Sequence, residues 1–256
     1  MRRLAPLHRL SKYLVAVCTF AAATQLVAAE ITVSAAASLT DAFKEVAAAY
    51  EARHPADKVR LNFAASGTLL QQIAKGAPVD VFASADLATM DKAQAQNLIA
   101  AAQRRNFARN TLVLITPRGA AVRPASLDDL GQASVRRIAI GNPASVPVGR
   151  YTQQALNKAN LWSAYEPKLI NAQSVRQVLD YVARGEVDAG FVYATDAALM
   201  KEKVDVIFTV PLDETVTYPL APIAASANPA AALSFVEFVT GPEGQAILSR
   251  YGFSKP

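Results

Sequence analysis

The residues from Ile31 to Tyr50 constrain the fold more than any other part of the chain. They begin with the strand-like alternation Ile31–Val33 and continue through the small residues Ala35–Ala37 to Ser38. The apolar residues that follow have the three-and-four spacing of one buried helix face: Leu39, Ala42, Phe43, Val46, Ala47 and Tyr50. A strand that ends in small residues and leads into a helix predicts an α/β unit.

The start of this predicted helix has two interpretations. Ser38 occupies the position expected of an N-cap, and Asp41 follows three residues later, as in a capping box. A serine hydroxyl beside the free N–H groups of a helix start can also bind an anion. Capping alone already accounts for the serine, so the pattern by itself leaves both roles open.

Residues 1–29 predict a secretory signal peptide. The first twelve carry four bases and no acid, and the rest are apolar or small up to Ala29. A transmembrane helix would need about 20 apolar residues in a row, and polar residues interrupt the apolar run here. Cys18, the single cysteine, lies inside this segment. We expect export, with cleavage after Ala29.

Without the leader the charge of the chain is nearly balanced. The whole sequence has 26 bases and 21 acids, whereas the 227 residues after Ala29 have 22 bases and 21 acids, or +1. No basic surface for nucleic acid is therefore expected. A chain of this length can bury a full core without disulfides, as one large domain or two smaller ones.

Strand-like and helix-like segments alternate along the mature chain. Up to Pro117 they follow the order β-α-β-α-β-α-β, which predicts a parallel sheet with helices on both faces. A second α/β set follows, and 215–223 is predicted to cross between sheets because Pro219 and Pro222 disfavour a central strand. The prediction is two lobes, with residues 30–112 and 219–256 in lobe I, 113–218 in lobe II, and crossings at 111–116 and 215–223.

The residue inventory argues against most catalytic sites. His54 is the one histidine outside the leader, and no G-x-S-x-G elbow is present, so a serine hydrolase has no support. A zinc site lacks ligands, and neither a P-loop nor a G-x-G-x-x-G fingerprint occurs. A carboxylate-dependent enzyme stays open, since 21 acids can supply a pair. The chain is otherwise predicted not to be an enzyme.

Several predicted helices begin at serine or small residues. These starts are at Ser38, Ser66, 147–149 and Ser174, and each offers unpaired N–H donors and a partial positive charge. Tyr193, at the end of a predicted strand, could add a phenolic donor or could simply pack. If two lobes face each other, such helix starts can converge on one anion.

Six segments in order are similar to one family: AAASLTDAF, FAASGTLLQQI, GAPVDVFASAD, NPASVPVGRYTQQAL, VRQVLDYVARGEVDAGFVYATDA and GPEGQAILSRYGF. They resemble the periplasmic molybdate-binding proteins of ABC importers, and the match spans nearly all of the mature chain. The resemblance implies an α/β, two-lobed type II periplasmic binding protein fold that closes on one tetrahedral dianion, molybdate or tungstate. It also implies a membrane permease as partner, a monomer, no cofactor, and no metal other than that of the oxyanion.

The resemblance assigns five ligand positions. Ser38 and Ser66 would give hydroxyl and backbone donors, Val148 and Val175 backbone N–H only, and Tyr193 its hydroxyl. A site made only of donors suits molybdate, which is fully deprotonated near neutral pH, whereas hydrogen phosphate would need an acceptor. Sulfate is also compatible, so a sulfate-binding protein is the principal alternative, beside an exported enzyme and a sensor lobe.

The chain departs from family members with more hydroxyl groups. Ala65 and Gly67 flank Ser66 where others carry serine, and Asn142 precedes Pro143 where many carry aspartate. The first departure removes possible hydroxyl contacts with the ligand but leaves the backbone donors in place.

Overall fold

The computed structural model describes residues 29–256, which form two five-stranded mixed sheets packed against helices. The predicted signal peptide and Cys18 lie outside the described residues, apart from Ala29. Within this part of the chain, no helix is long and apolar enough to cross a membrane.

The ten strands alternate with helices through most of the chain, as predicted. The strands are β1 Glu30–Ala36, β2 Lys58–Ala64, β3 Val81–Ala83, β4 Arg105–Asn110, β5 Leu112–Pro117, β6 Ile138–Gly141, β7 Leu169–Ala172, β8 Ala189–Tyr193, β9 Val204–Thr209 and β10 Val216–Pro222. The α-helices are α1 Thr40–Arg53, α2 Ser66–Ala74, α3 Leu87–Ala95, α4 Pro147–Lys158, α5 Trp162–Tyr165, α6 Val175–Ala183, α7 Ala194–Leu199, α8 Pro229–Thr240 and α9 Pro242–Arg250.

Each sheet is the centre of one lobe. Lobe I has the strand order β2-β1-β3-β10-β4 and carries α1, α2, α3, α8 and α9, whereas lobe II has the order β7-β6-β8-β5-β9 and carries α4 to α7. Parallel pairs join β1 to β2 and β3, and β6 to β7 and β8. The predicted purely parallel sheet was wrong, because β5 and β10 run antiparallel to the strands on both sides.

The segment predicted to cross outside the sheet is a central strand. β10 is buried along its whole length between β3 and β4. Pro219 is accommodated because the register with β4 shifts between Tyr218 and Pro219. The proline carbonyl still accepts a hydrogen bond from the Ser84 N–H. Pro219 therefore removes one N–H donor from the sheet, at a bulge, and the segment still forms a strand.

Two connections join the lobes. Thr111 alone separates β4 of lobe I from β5 of lobe II, and residues 210–215 separate β9 from β10. The whole of β10 belongs to the lobe I sheet. The division of the chain at 112/113 and 218/219 into folding units stays a prediction.

The helix of the opening segment buries the face that its spacing predicts. All six residues of that face, from Leu39 to Tyr50, are buried. The Phe43 ring lies 5.7 Å from that of Phe107 in β4 and 6.3 Å from that of Phe235 in α8. The C-terminal helices therefore return to lobe I, as predicted.

Candidate functional site

The five residues predicted to bind ligand line one small cavity between the lobes. The cavity volume is about 10 Å³, far below the roughly 300–1,000 Å³ typical of pockets for drug-sized ligands. The complete lining is Ala36, Ala37, Ser38, Ala65, Ser66, Ala85, Val146, Pro147, Val148, Val175 and Tyr193. None of these side chains carries a charge. A cavity of this size and lining suits a small ligand held by neutral groups.

Ser38 is not the N-cap that its sequence position predicted. It lies in a 3-10 turn, Ala37–Leu39, between β1 and α1, and makes no capping hydrogen bond. Its Oγ instead lies 3.0 Å from the Oη of Tyr218 in β10. Asp41 does not complete a capping box either, because its carboxylate pairs with Arg176 of lobe II. The hydroxyl of Ser38 is therefore held at the cavity by tertiary contacts.

Ser66 is the first residue of α2 and is fully buried. Its Oγ accepts a hydrogen bond from the Ala85 N–H, at 3.0 Å, and makes no cap for its own helix. The next amide, that of Gly67, donates to the Ser145 carbonyl of lobe II at 2.9 Å. A Cβ on Gly67 would lie 2.6 Å from that oxygen, so the absence of serine here lets the lobes approach.

Two helix starts of lobe II complete the cavity. Val148 is the second residue of α4, behind Pro147, and Val175 is the first of α6. Ser174 caps α6 as predicted, since its Oγ accepts from the Gln177 N–H at 3.2 Å. First-turn N–H groups have no acceptor within their own helix. Both valines can therefore present backbone donors to the space that they line.

Tyr193 brings a neutral hydroxyl to the cavity from the end of β8. The side chain is 1% exposed, and its Oη has no hydrogen-bond partner among the described residues. Burial raises the pKa of this phenol well above its usual value. A buried hydroxyl without a partner is costly unless a ligand or water supplies one. The Tyr193 hydroxyl is thus a donor ready for a ligand.

Two arginines join the lobes at the edges of the cavity. Arg150 of α4 donates from Nε to Asp86 Oδ2 at 2.7 Å and from Nη2 to Thr89 Oγ1 at 2.6 Å, both in lobe I. Asp86 also caps α3, by accepting from the Thr89 N–H. The guanidinium is therefore already paired with a carboxylate.

The second arginine contact includes a fully buried carboxylate. Arg176 of α6 donates to the fully buried Asp196 of its own lobe at 2.6 Å and to Asp41 of lobe I at 2.8 Å. Its Nη2 also reaches the Ser38 carbonyl, at 3.4 Å. Burial raises the pKa of Asp196 to about 6, against the lowering effect of Arg176. Burial opposes the charge of Arg176, but Asp196 and Asp41 outweigh it and raise the pKa of the arginine.

Sequence reasoning missed both arginines, although each lies within two residues of a predicted ligand position. A signal was present, because a cation in the first turn of a helix is disfavoured by the helix dipole. A base at such a place indicates a carboxylate partner from elsewhere in the fold. The partners themselves are distant in sequence, which is why their identity was not predictable.

Comparisons with known proteins identify the family of this chain. Residues 31–254 match the family described as bacterial extracellular solute-binding protein. The chain belongs to this family. The molybdate-binding protein ModA of Escherichia coli is 37% identical to this solute-binding protein over 247 residues, which cover 93% of this chain and 95% of that one. The predicted resemblance to molybdate-binding proteins is thereby confirmed, and these relatives are named as binding proteins, not as enzymes.

Solved structures show the same architecture. The periplasmic molybdate-binding protein of Azotobacter vinelandii superposes with a TM-score of 0.76 at 25% identity, covering 88% of this chain and 99% of that one. The sulfate-binding protein SubI of Mycobacterium tuberculosis gives a TM-score of 0.78 at 17% identity, covering 89% and 87%. The second likeness shows the fold alone. The predicted two-lobed type II fold is confirmed.

Proposed function

We propose that this solute-binding protein captures molybdate or tungstate in the cavity between its lobes. Ser38, Ser66 and Tyr193 donate through their hydroxyls, and Val148 and Val175 through their backbone N–H groups. The observation that carries the proposal is the convergence of these five residues on one small cavity lined by neutral side chains. They come from both lobes, so closing the lobes completes the donor set.

The donor chemistry fits a fully deprotonated dianion. Helix N-termini provide partial positive charge and free N–H groups where α2, α4 and α6 begin. Neutral donors avoid the large cost of burying an uncompensated cation while the cavity is empty. Molybdate and tungstate accept hydrogen bonds through all four oxygens and carry no proton near neutral pH. The cavity matches that requirement without an acceptor side chain.

The proposal extends to transport. The protein is exported with residues 1–29 as a cleavable signal peptide, acts in the periplasm as a cofactor-free monomer, and delivers its oxyanion to an ABC permease. Support comes from membership of an extracellular solute-binding family and from the resemblance of six segments to importer components. Lobe closure about Thr111 and residues 210–215 would distinguish loaded from empty protein for the permease.

Thermal unfolding of residues 30–256 with molybdate, tungstate, sulfate and phosphate separately tests the ligand. A ligand at a thousandfold excess over its Kd adds about 4 kcal/mol of stability, and each kcal/mol shifts the midpoint by roughly 2–4 °C for a chain of this size. We expect a large shift with molybdate and tungstate only. A shift with sulfate alone would transfer the proposal to sulfate, and no shift with any of the four would refute an oxyanion site.

A further inference from the structure

A hydrogen-bond chain behind the cavity fixes where the proton of each hydroxyl points. It begins at Asn110, the last residue of β4 beside the first lobe connection. The Thr111 N–H can only donate, and it lies 2.9 Å from Asn110 Oδ1, which identifies the amide oxygen. The amide nitrogen therefore donates to Thr195 Oγ1 at 2.8 Å and to Tyr218 Oη at 3.2 Å.

Tyr218 has one acceptor for its own proton. The described residues give its Oη two partners, Asn110 Nδ2 and Ser38 Oγ, and an amide NH₂ cannot accept. The ring is fully buried, and burial raises the pKa of the phenol well above its usual value, so the proton stays on the oxygen. If Ser38 donated instead, the Tyr218 hydroxyl would be buried without an acceptor, which is unfavourable. Tyr218 thus donates to Ser38.

The same proton order holds at the second serine. Ser66 Oγ accepts from the Ala85 N–H, which can only donate. Each serine oxygen therefore already accepts a hydrogen bond from the protein, and its own proton is left for the cavity. The Tyr193 hydroxyl, which has no partner among residues 29–256, adds a third donor.

We propose that Tyr218 and Asn110, neither of which lines the cavity, are positioning residues that turn the Ser38 proton toward the bound anion and so disfavour oxyanions that carry a proton. This inference rests on the proposed oxyanion function and deepens it. A protonated anion such as hydrogen phosphate would meet serine hydroxyls whose protons already face it, and each serine oxygen has one of its two lone pairs taken by Tyr218 or Ala85. Its own proton would have to be accepted by a hydroxyl that also donates to the anion, whereas molybdate and sulfate need no acceptor.

The test is a Tyr218→Phe variant of residues 30–256, titrated calorimetrically near pH 7.5 with molybdate, sulfate and phosphate. Without the Tyr218 donor, Ser38 Oγ can accept from hydrogen phosphate or give its own proton elsewhere. We expect molybdate and sulfate to weaken by a similar factor, about tenfold, the size of one hydrogen bond to a charged group. Phosphate should keep its affinity, so its Kd relative to that of molybdate falls about tenfold.

Two further variants keep the test decisive. Tyr50→Phe is the matched control, because Tyr50 is also a fully buried lobe I tyrosine, and its hydroxyl bonds Asp57 at 2.8 Å instead of the site. Its anion ratios should stay at wild-type values. Asn110→Ala frees Tyr218 Oη to accept from Ser38, so it should shift the same ratio in the same direction by less. It decides the question if Tyr218→Phe does not fold.

The outcomes separate the two proposals. If both Tyr218→Phe and Asn110→Ala weaken all three anions equally, or change none of them, the proton-ordering inference is overturned while the binding function stands. If the wild-type chain binds none of the anions, the proposed function fails before any variant is compared, and the inference fails with it.

Discussion

The cavity is lined by neutral groups, whereas the two arginine contacts beside it are ion pairs. All eleven residues that line the cavity are neutral. At its edges, Arg150 and Arg176 each bridge the lobes through carboxylates, Asp86 on one side and Asp41 on the other. Cations are thus present near the anion site but are already paired with acids of the protein.

This difference separates recognition from assembly. The charge of a guanidinium bound to carboxylates is compensated, so N–H and O–H dipoles must stabilise a bound anion. The Arg150–Asp86 and Arg176–Asp41 pairs hold the lobes together. Arg176 also pairs with the buried carboxylate of Asp196. The comparison predicts that changes at Arg176 affect stability most, whereas changes in the cavity affect binding.

Arg176→Ala should have the largest effect. It leaves the fully buried Asp196 without its cation, and removing one partner of a buried pair typically costs about 3–5 kcal/mol. Urea unfolding near pH 7 measures the loss. The double variant Arg176→Ala/Asp196→Asn is the control and should recover most of it, because no buried charge remains. Equal stability of the single and double variants would show that Asp196 does not depend on Arg176.

The pH dependence of stability should reveal Asp196 itself. Its pKa is about 6 in the folded chain against 3.8 for the unperturbed group, so the folded state holds an extra proton between these values. The stability it contributes is present below about pH 4 and is lost as the pH rises through about 6, by about 3 kcal/mol in total. The difference in unfolding free energy between wild type and Asp196→Asn should fall by that amount. A flat difference would contradict the assignment.

Ser38→Ala and Ser66→Ala should each weaken molybdate binding by about 1–3 kcal/mol, the range for hydrogen bonds to a charged group. Calorimetric titration measures the change. Ser163→Ala, at an exposed serine of lobe II, is the control and should bind as the wild type does. If both cavity variants keep wild-type affinity, the cavity is not the binding site.

Arg150→Ala should have the smallest effect, about 1 kcal/mol in binding. Without the guanidinium, Asp86 still accepts hydrogen bonds from the Ser84 hydroxyl and the Thr89 N–H, so its carboxylate keeps partners. Since Arg150 closes the lobes without touching the cavity, molybdate and sulfate should weaken by the same factor, mainly through faster dissociation in stopped-flow measurements. Arg184→Ala, in an exposed pair, is the control. A change in the molybdate-to-sulfate ratio would mean that Arg150 contributes to recognition.

Local sequence patterns predicted the helices and strands of this chain well, but not which distant residues contact one another. The buried face of α1, the caps at Asp86 and Ser174, and the Pro147 helix start all follow from nearby residues. The cap at Ser38 was wrong because the tertiary partner Tyr218, 180 residues away, takes its hydroxyl. β10 was predicted as a crossing because proline disfavours a strand, whereas its neighbours accommodate Pro219 at a bulge.

The sequence by itself determined the α/β alternation, the helix starts that carry backbone donors, and, through family resemblance, five of the eleven residues that line the cavity. The first two depend on short-range spacing along the chain, and the third on segments that resemble the family. Only the tertiary structure decided the contact between Ser38 and Tyr218 and the pairing of Arg150 and Arg176. Such contacts join residues tens to hundreds of positions apart, and each depends on how the folded chain packs, which no local periodicity encodes.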